Sequence, residues 1–240
     1  MKKCLLMVLL LMGCVCCAIS QEEFIKPVRA VSIGFEAGSS IDWLSTKVEN
    51  YNHKGGKAGV RYGIPIDINL YRTSSYYYFS TGLKIEHYGA SVSFVHTDPF
   101  NSAILDAKVT QTFRNIYVSL PTAIKLKSPE FHHFKIIGNV GLLHSILVKS
   151  DYRYKVINTD HSTQSLKKLP YKGVFVSKES VFAGIGVEYN FKANWKAYAM
   201  FNYSYSFTNF YNKNAENIFD PQVRMKGNLH SVEMVVGIGF

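Results

Sequence analysis

The C-terminal stretch "NLHSVEMVVGIGF", residues 228–240, sets large apolar side chains at every second position. Val232, Met234, Val236, Ile238 and Phe240 fall on one face; Ser231, Glu233, Gly237 and Gly239 fall on the other. Alternation with period two is the pattern of a strand whose faces meet different surroundings. The last residues of a soluble domain usually fray. A stripe kept apolar to its final Phe therefore predicts a strand held along both edges.

The same pattern recurs seven times upstream. "VSIGFEA" places Val31, Ile33, Phe35 and Ala37 against Ser32, Gly34 and Glu36. "VRYGIPIDINLY" opposes Val60, Tyr62, Ile64, Ile66, Ile68 and Leu70 to Arg61, Gly63, Pro65, Asp67, Asn69 and Tyr71. "YFSTGLKIE", "NIYVSLPTAIKLK", "VFAGIGVEYNF" and "WKAYAMFNYSYSF" alternate likewise. "FKIIGNVGLLHSILV" is less regular, because His144 falls on its apolar side. Eight strands are predicted, and the inward prolines at 65 and 121 predict a bulge at each.

A soluble sandwich would alternate too, so the connections decide. Tight links at 72–75, 128–131 and 192–194 alternate with long ones at about 39–56, 96–112, 149–177 and 208–227. Short turns at one end and long loops at the other characterise outer-membrane barrels. The fold predicted is all-β: an eight-stranded antiparallel up-and-down transmembrane β-barrel over 28–240, located in the cell outer membrane. The stripe from Val232 to Phe240 then closes the barrel and carries its assembly signal, because no strand edge can stay open in lipid. Aromatics favour the interfaces. Tyr189, Phe191, Trp195 and Phe240 are expected in the inner girdle, and Tyr203, Tyr205 and Phe207 in the outer one.

Residues 1–20 read as a secretory signal peptide: Lys2 and Lys3, an apolar run from Leu5, then Ala18-Ile19-Ser20 before Gln21. Residues 21–27 would be a short periplasmic segment. A competing reading takes Leu11-Met12-Gly13-Cys14 as a lipoprotein box with Cys14 acylated. All four cysteines, at 4, 14, 16 and 17, lie in this leader, so cleavage leaves no thiol for disulfides, metal ligation or catalysis. Removing Lys2 and Lys3 lowers the formal charge from +10 to +8. Nucleic acid is not an expected partner for an exported barrel, and no cofactor is implied.

The strand "RYGIPIDINLY", the run from Val118 to Lys125 in "IYVSLPTAIKLK", and "FAGIGVEYNF" with "FNYSYSFTNFYN" resemble the PorT-type porin family of small outer-membrane barrels. The likeness spans nearly all of 28–240 but includes no catalytic motif. It implies a barrel, with an accessory role in type IX-like secretion as an alternative function. Secretion-linked members carry His-x-Gly-Phe near the N-terminus, where this chain reads "AVSIGFEAG".

Eight strands enclose a lumen that side chains can fill. Its inward positions carry Glu36, Arg61, Asp67, Lys84, Glu86, Lys125, Glu188, Lys196 and Glu233. Charges so placed must pair, which predicts a polar plug; a narrow conduit for small solutes is the alternative. Strand direction puts Glu36, Arg61 and Glu233 toward the outer half, and Lys125 and Glu188 toward the inner end. Catalysis is not expected. His144 and Ser145 are adjacent in a strand and point to opposite faces, His161 lies in a polar loop, and His132-His133 sits at a turn as a solvated pair. The third long loop holds Lys149, Arg153, Lys155, Lys167, Lys168 and Lys172 against Asp151 and Asp160, a charge suited to lipopolysaccharide phosphates or an acidic partner. The role read from the sequence is a non-enzymatic structural or interaction platform. Its expected partners are outer-membrane lipid, lipopolysaccharide, the barrel-assembly machinery during insertion and, in the alternative, secretion-system proteins.

Overall fold

The computed structural model describes residues 30–48, 51–71, 74–96, 107–157, 163–165, 169–170, 172–191, 195–213, 215 and 224–240. The expected leader, the segment 21–27 and His161 lie outside the described residues. Eight long strands form the wall: β1 (Val31–Thr46), β3 (Lys57–Asn69), β4 (Tyr77–His96), β5 (Ala107–Lys127), β6 (Phe134–Ile157), β9 (Ser177–Asn190), β10 (Lys196–Ser206) and β11 (Gly227–Gly239). Three short strands, β2 (Asn52–His53), β7 (Thr163–Ser165) and β8 (Leu169–Pro170), lie along the extended parts of β4 and β6. Each wall strand pairs antiparallel with its neighbours in the chain, and β1 pairs with β11 from Gly34↔Gly239 to Thr46↔Gly227. The sheet is a closed eight-stranded antiparallel barrel.

Outward positions carry the apolar stripe. Ile33, Phe35, Ile64, Leu83, Val140, Ile185, Val187, Val236 and Ile238 are all exposed. A continuous exposed apolar band around a closed barrel is stable only where acyl chains replace water. Phe240 packs against Phe35 and Trp195, with ring centroids at 6.3 and 5.5 Å, and Tyr189 lies 4.9 Å from both Phe134 and Phe191. These rings form an aromatic belt at the turn end. At the opposite end Trp43 stacks on His230 at 5.3 Å, beside Tyr203 and Tyr205.

Two expectations need correction. The strands extend past the predicted ends: β1 continues to Thr46, β4 to His96 and β6 to Ile157, while β5 begins at Ala107. The extra residues stand beyond the apolar band, where outward side chains face water and need not be apolar. No bulge occurs at either proline. The β1–β3 ladder breaks between Ile33↔Ile66 and Glu36↔Gly63, and the β4–β5 ladder between Ser80↔Ala123 and Lys84↔Ser119, each resuming in unchanged register. A missing N–H opens the ladder locally, while the pairs on either side hold the alignment. Opposite Pro65, Gly82 adopts φ 143°, which a side chain would strain. The register shift lies instead at Ile116/Tyr117, opposite Val148.

Candidate functional site

The barrel interior has two storeys of different chemistry. Arg61 is the hub of the outer polar tier. Its Nη2 donates to Asp42 Oδ1 at 2.8 Å and to Ser231 Oγ at 2.6 Å; its Nη1 donates to Glu233 Oε2 at 2.9 Å. Its Nε lies 3.3 Å from Glu86 Oε1, an ion contact without hydrogen-bond alignment. Lys84 donates to Glu233 and lies 3.7 Å from Glu36. Lys178 Nζ and Ser119 Oγ both donate to Glu86 Oε2, at 2.8 and 2.7 Å. The Tyr88 ring faces the Arg61 guanidinium at 5.0 Å and the Lys178 ammonium at 4.4 Å, an arrangement in which ring faces attract cations.

The inner tier is built on Asp67 and Glu188. Lys125 Nζ donates to both Asp67 oxygens at 2.7 and 2.9 Å, and Lys127 Nζ to both Glu188 oxygens at 2.9 and 2.6 Å. Lys196 Nζ sits 3.3 Å from Asp67 and 3.9 Å from Glu188. Tyr198 OH joins the tiers by donating to Glu36 Oε2 at 2.9 Å. Between them is a cavity of about 60 Å³ lined in part by Asn139, Asn202 and Lys84, a volume suited to a few water molecules. Arg61, Lys84, Lys125, Lys127, Lys178 and Lys196 thus balance Glu36, Asp42, Asp67, Glu86, Glu188 and Glu233 across two ion-pair groups, one in each tier. Near-neutrality is what a low-dielectric enclosure requires.

All nine lumen residues named from the sequence point inward and fall into these tiers, Glu36, Arg61 and Glu233 toward the outer side and Lys125 and Glu188 toward the inner. Asp42, Lys127 and Lys178 were missed. Asp42 lies in the span 39–56 expected as a loop, and Lys178 between the expected loop 149–177 and the strand from Val181; continuing the period-two count from Ala37 places Asp42 inward. Lys127 shares the polar face of its strand with Lys125, so the same alternation places it inward.

The outer storey corrects the expectation of a wholly polar lumen. Above Arg61, Leu44, Val92, Phe94, Val109, Phe113, Tyr117 and Leu229 form a buried apolar cluster. Tyr51, Val174, Phe210, Tyr211 and Met225 fold in from the connections to complete it. Phe113 meets Phe210 at 5.1 Å, and Tyr51 meets Phe94 at 4.8 Å. Backbone bonds knit the cap: Phe175 N donates to Phe210 O at 2.8 Å, Phe210 N to Gly227 O at 2.7 Å, and Asn212 N to Gly173 O at 2.9 Å. Outside the membrane the wall faces water on its exterior, so the interior becomes an ordinary hydrophobic core.

On the exterior, His144 and Ser145 do diverge. Ser145 is buried, with its hydroxyl 2.8 Å from Ser119 Oγ, whereas His144 faces outward. His144 acquires a partner the sequence did not suggest: its Nδ1 contacts Glu179 Oε2, and its Nε2 lies 3.2 Å from Thr122 Oγ1. His132 and His133 form the two-residue turn between β5 and β6, at φ 47° and 72°. The basic set also moves. Lys149, Arg153 and Lys155 belong to β6 and not to a loop, Lys172 is exposed in a connection, and Lys167 and Lys168 lie outside the described residues. The loop expectation failed because alternation of apolar residues ends at Val148 while the strand goes on.

A closed barrel with an apolar belt, aromatic rims and a charge-balanced interior is an integral outer-membrane β-barrel protein. No protein-family model matches the sequence, and no curated protein matches it. Among solved structures the chain is similar to neisserial surface protein A, with 14% identity, TM-score 0.44, and 88% of this chain and 96% of that one covered. It is also similar to the attachment invasion locus protein Ail of Yersinia pestis in complex with the heparin analogue sucrose octasulfate, at 11% identity and TM-score 0.33, covering 88% of this chain and 100% of that chain. The outer membrane protease OmpT of Escherichia coli matches at 7% identity and TM-score 0.34, covering 93% of this chain and 99% of that chain.

Proposed function

We propose that the protein is a non-enzymatic structural and interaction platform of the outer membrane, its lumen plugged and its working surface the raised wall of β4, β5 and β6. The observation that carries this reading is the stacking of two seals along one axis. An apolar cap built around Phe113, Phe210 and Tyr211 lies over an ion-pair lattice centred on Arg61. A conduit needs a wet path, and both storeys oppose one: the upper is apolar, and the lower holds its charges on one another. Kinship with the PorT-type family is part of the proposal and rests on the run from Val118 to Lys125 and the Phe-terminated strand.

Planar-bilayer recording of the purified chain tests the plug. Silent membranes are expected; steady single-channel conductance would overturn it in favour of solute passage. Cross-linking and pull-down from intact outer membranes tests the platform. Envelope lipid and surface partners are expected, whereas stoichiometric recovery of secretion-machine proteins would replace the platform with the accessory role.

A further inference from the structure

The exteriors of β5 and β6 change character abruptly. Up to Ile116 and Val148 their outward residues are largely apolar, and Ile146 and Val148 are 63% and 65% exposed. From Leu126 to Arg114 the chain climbs about a dozen residues, roughly 30 Å along the barrel axis at the usual tilt. That is the depth of the hydrocarbon. Directly above it the outward positions become Arg114, Thr112, Thr110 and Lys108 on β5, and Lys149, Asp151, Arg153 and Lys155 on β6.

The register sets Thr112 opposite Arg153 and Thr110 opposite Lys155. Lys54 reaches in from the connection before β3, and its Nζ donates to Thr110 Oγ1 at 2.9 Å. Several ammonium groups therefore crowd one hydroxyl. Partial dehydration first, then the charges of Lys108, Lys155 and Lys57, pull the Lys54 ammonium below the ordinary lysine range. The carboxylate on this face, Asp151, stands opposite Arg114 and 3.8 Å from Lys149. Among the described residues Lys54, Lys108, Arg153 and Lys155 make no ion pair. Like charges gathered beside a low-dielectric layer repel unless an anion sits among them.

We infer that the outward face of β5 and β6 above the apolar band binds the phosphorylated headgroup of an outer-leaflet glycolipid, whose acyl chains lie against Ile146 and Val148. The adjacency of cation cluster and apolar tract selects this occupant: a soluble polyanion would use the first alone, and an uncharged lipid the second alone. The inference rests on the platform reading and gives that platform its ligand. Charge-assisted contacts to phosphate supply the affinity and make it sensitive to salt.

The test uses the full mature chain in neutral detergent, titrated with bisphosphoryl lipid A, monophosphoryl lipid A, inorganic phosphate and heparin. The variant K108Q/R153Q/K155Q is compared with the charge-matched K172Q/K213Q/K226Q, whose lysines are exposed on other connections. Both variants are first checked for heat-dependent gel migration, which reports an intact barrel whatever the lipid result. Bisphosphoryl lipid A is expected to bind about tenfold more weakly to the first variant with a flatter salt dependence, as expected when ion pairs are removed. Its affinity for the second should stay within about twofold of wild type, and removal of one phosphate should weaken wild-type binding. Equal affinity in the two variants overturns the inference while leaving the plugged platform standing. Displacement of lipid A by equimolar inorganic phosphate reduces the site to a free-anion site, and tighter binding of heparin reassigns it to a soluble polyanion; either outcome refutes the lipid. Conductance, by contrast, bears only on the plug.

Discussion

Arg61 Nη1 and Glu233 Oε2 meet at 2.9 Å across the lumen face of β1, tying β3 to β11 on either side of the closing strand. Arg61 is 1% exposed and serves Asp42 and Glu86 as well. Arg61→Met would leave Asp42 without a cation and take one of two from Glu86 and Glu233, which keep Lys178 and Lys84. Loss of one partner from a buried ionic group typically destabilises by ~3–5 kcal/mol. The urea midpoint of the variant in detergent should fall accordingly. The triple change Arg61→Met, Asp42→Asn and Glu233→Gln should recover a large part of that loss, because the remaining groups are then neutral or paired. An Arg61→Met barrel as stable as wild type would show that the lattice contributes nothing.

The strand "SVSFV" at 91–95 explains how much was legible. In the bilayer, outward residues must be apolar, and the eight alternating segments disclosed the wall, its order and the inward charges. Beyond the bilayer the alternation continues with its polarity inverted: Ser91 and Ser93 hold the outward parity, though both are buried, while Val92 and Phe94 fill the core. The periodicity was there to read, but a count of apolar-outward residues registers it as a loop. Tyr51, Phe210, Tyr211 and Met225 were beyond reach for another reason. They enter the core from connections, where no period announces which way a side chain will turn. The His144–Glu179 contact joins residues 35 apart, set by the β6–β9 register alone.

Phe113 is fully buried where the apolar cap meets the wall. Phe113→Ala should destabilise by ~3–5 kcal/mol, as truncation of a core aromatic does. Bilayers should nevertheless stay silent, because the Arg61 tier beneath remains filled. Conductance in this variant would assign the seal to the cap alone.

His132 and His133 close the β5–β6 hairpin with both residues at positive φ, the geometry of a type I′ turn. Side chains with a Cβ are strained there, and Asn-Gly is the preferred pair. The double change His132→Asn, His133→Gly should raise stability by ~1 kcal/mol, seen as a higher unfolding midpoint. A lower midpoint would mean that the contact of His133 Nδ1 with Glu130 at 3.6 Å outweighs backbone strain.

Glu179, His144 and Thr122 line up outside the barrel in the order carboxylate, imidazole, hydroxyl. On the non-enzymatic reading this chain of contacts is structural and bonds strands β5, β6 and β9 inside the apolar band, two outward positions below Val148. Glu179→Gln and His144→Ala should each lower the unfolding midpoint in detergent, because a polar group left without its partner beside acyl chains is costly. Lipid A extracted from cells carrying either variant should give the same mass spectrum as wild type. A lipid A species that vanishes with His144→Ala would make the protein a lipid-modifying enzyme.

Phe240 completes the barrel seam. Its N–H donates to Ile33 O at 2.9 Å, its carbonyl accepts from Ile33 N at 3.2 Å, and its ring lies against Trp195 and Phe35. Deleting it removes both hydrogen bonds and the interfacial ring, whereas Phe240→Leu keeps the backbone pair and an apolar side chain. If the residue acts only through the seam, the deletion should lower the unfolding midpoint and Phe240→Leu should nearly restore it, with membrane yield following stability in both. If it is also read by the assembly machinery as an aromatic terminus, Phe240→Leu should refold normally from urea into detergent yet accumulate poorly in the outer membrane of cells. The second pattern is expected, because an aromatic is held at the interface by its ring while the seam itself requires only backbone. Equal cellular yields for Phe240→Leu and wild type would confine the role of Phe240 to closing the barrel.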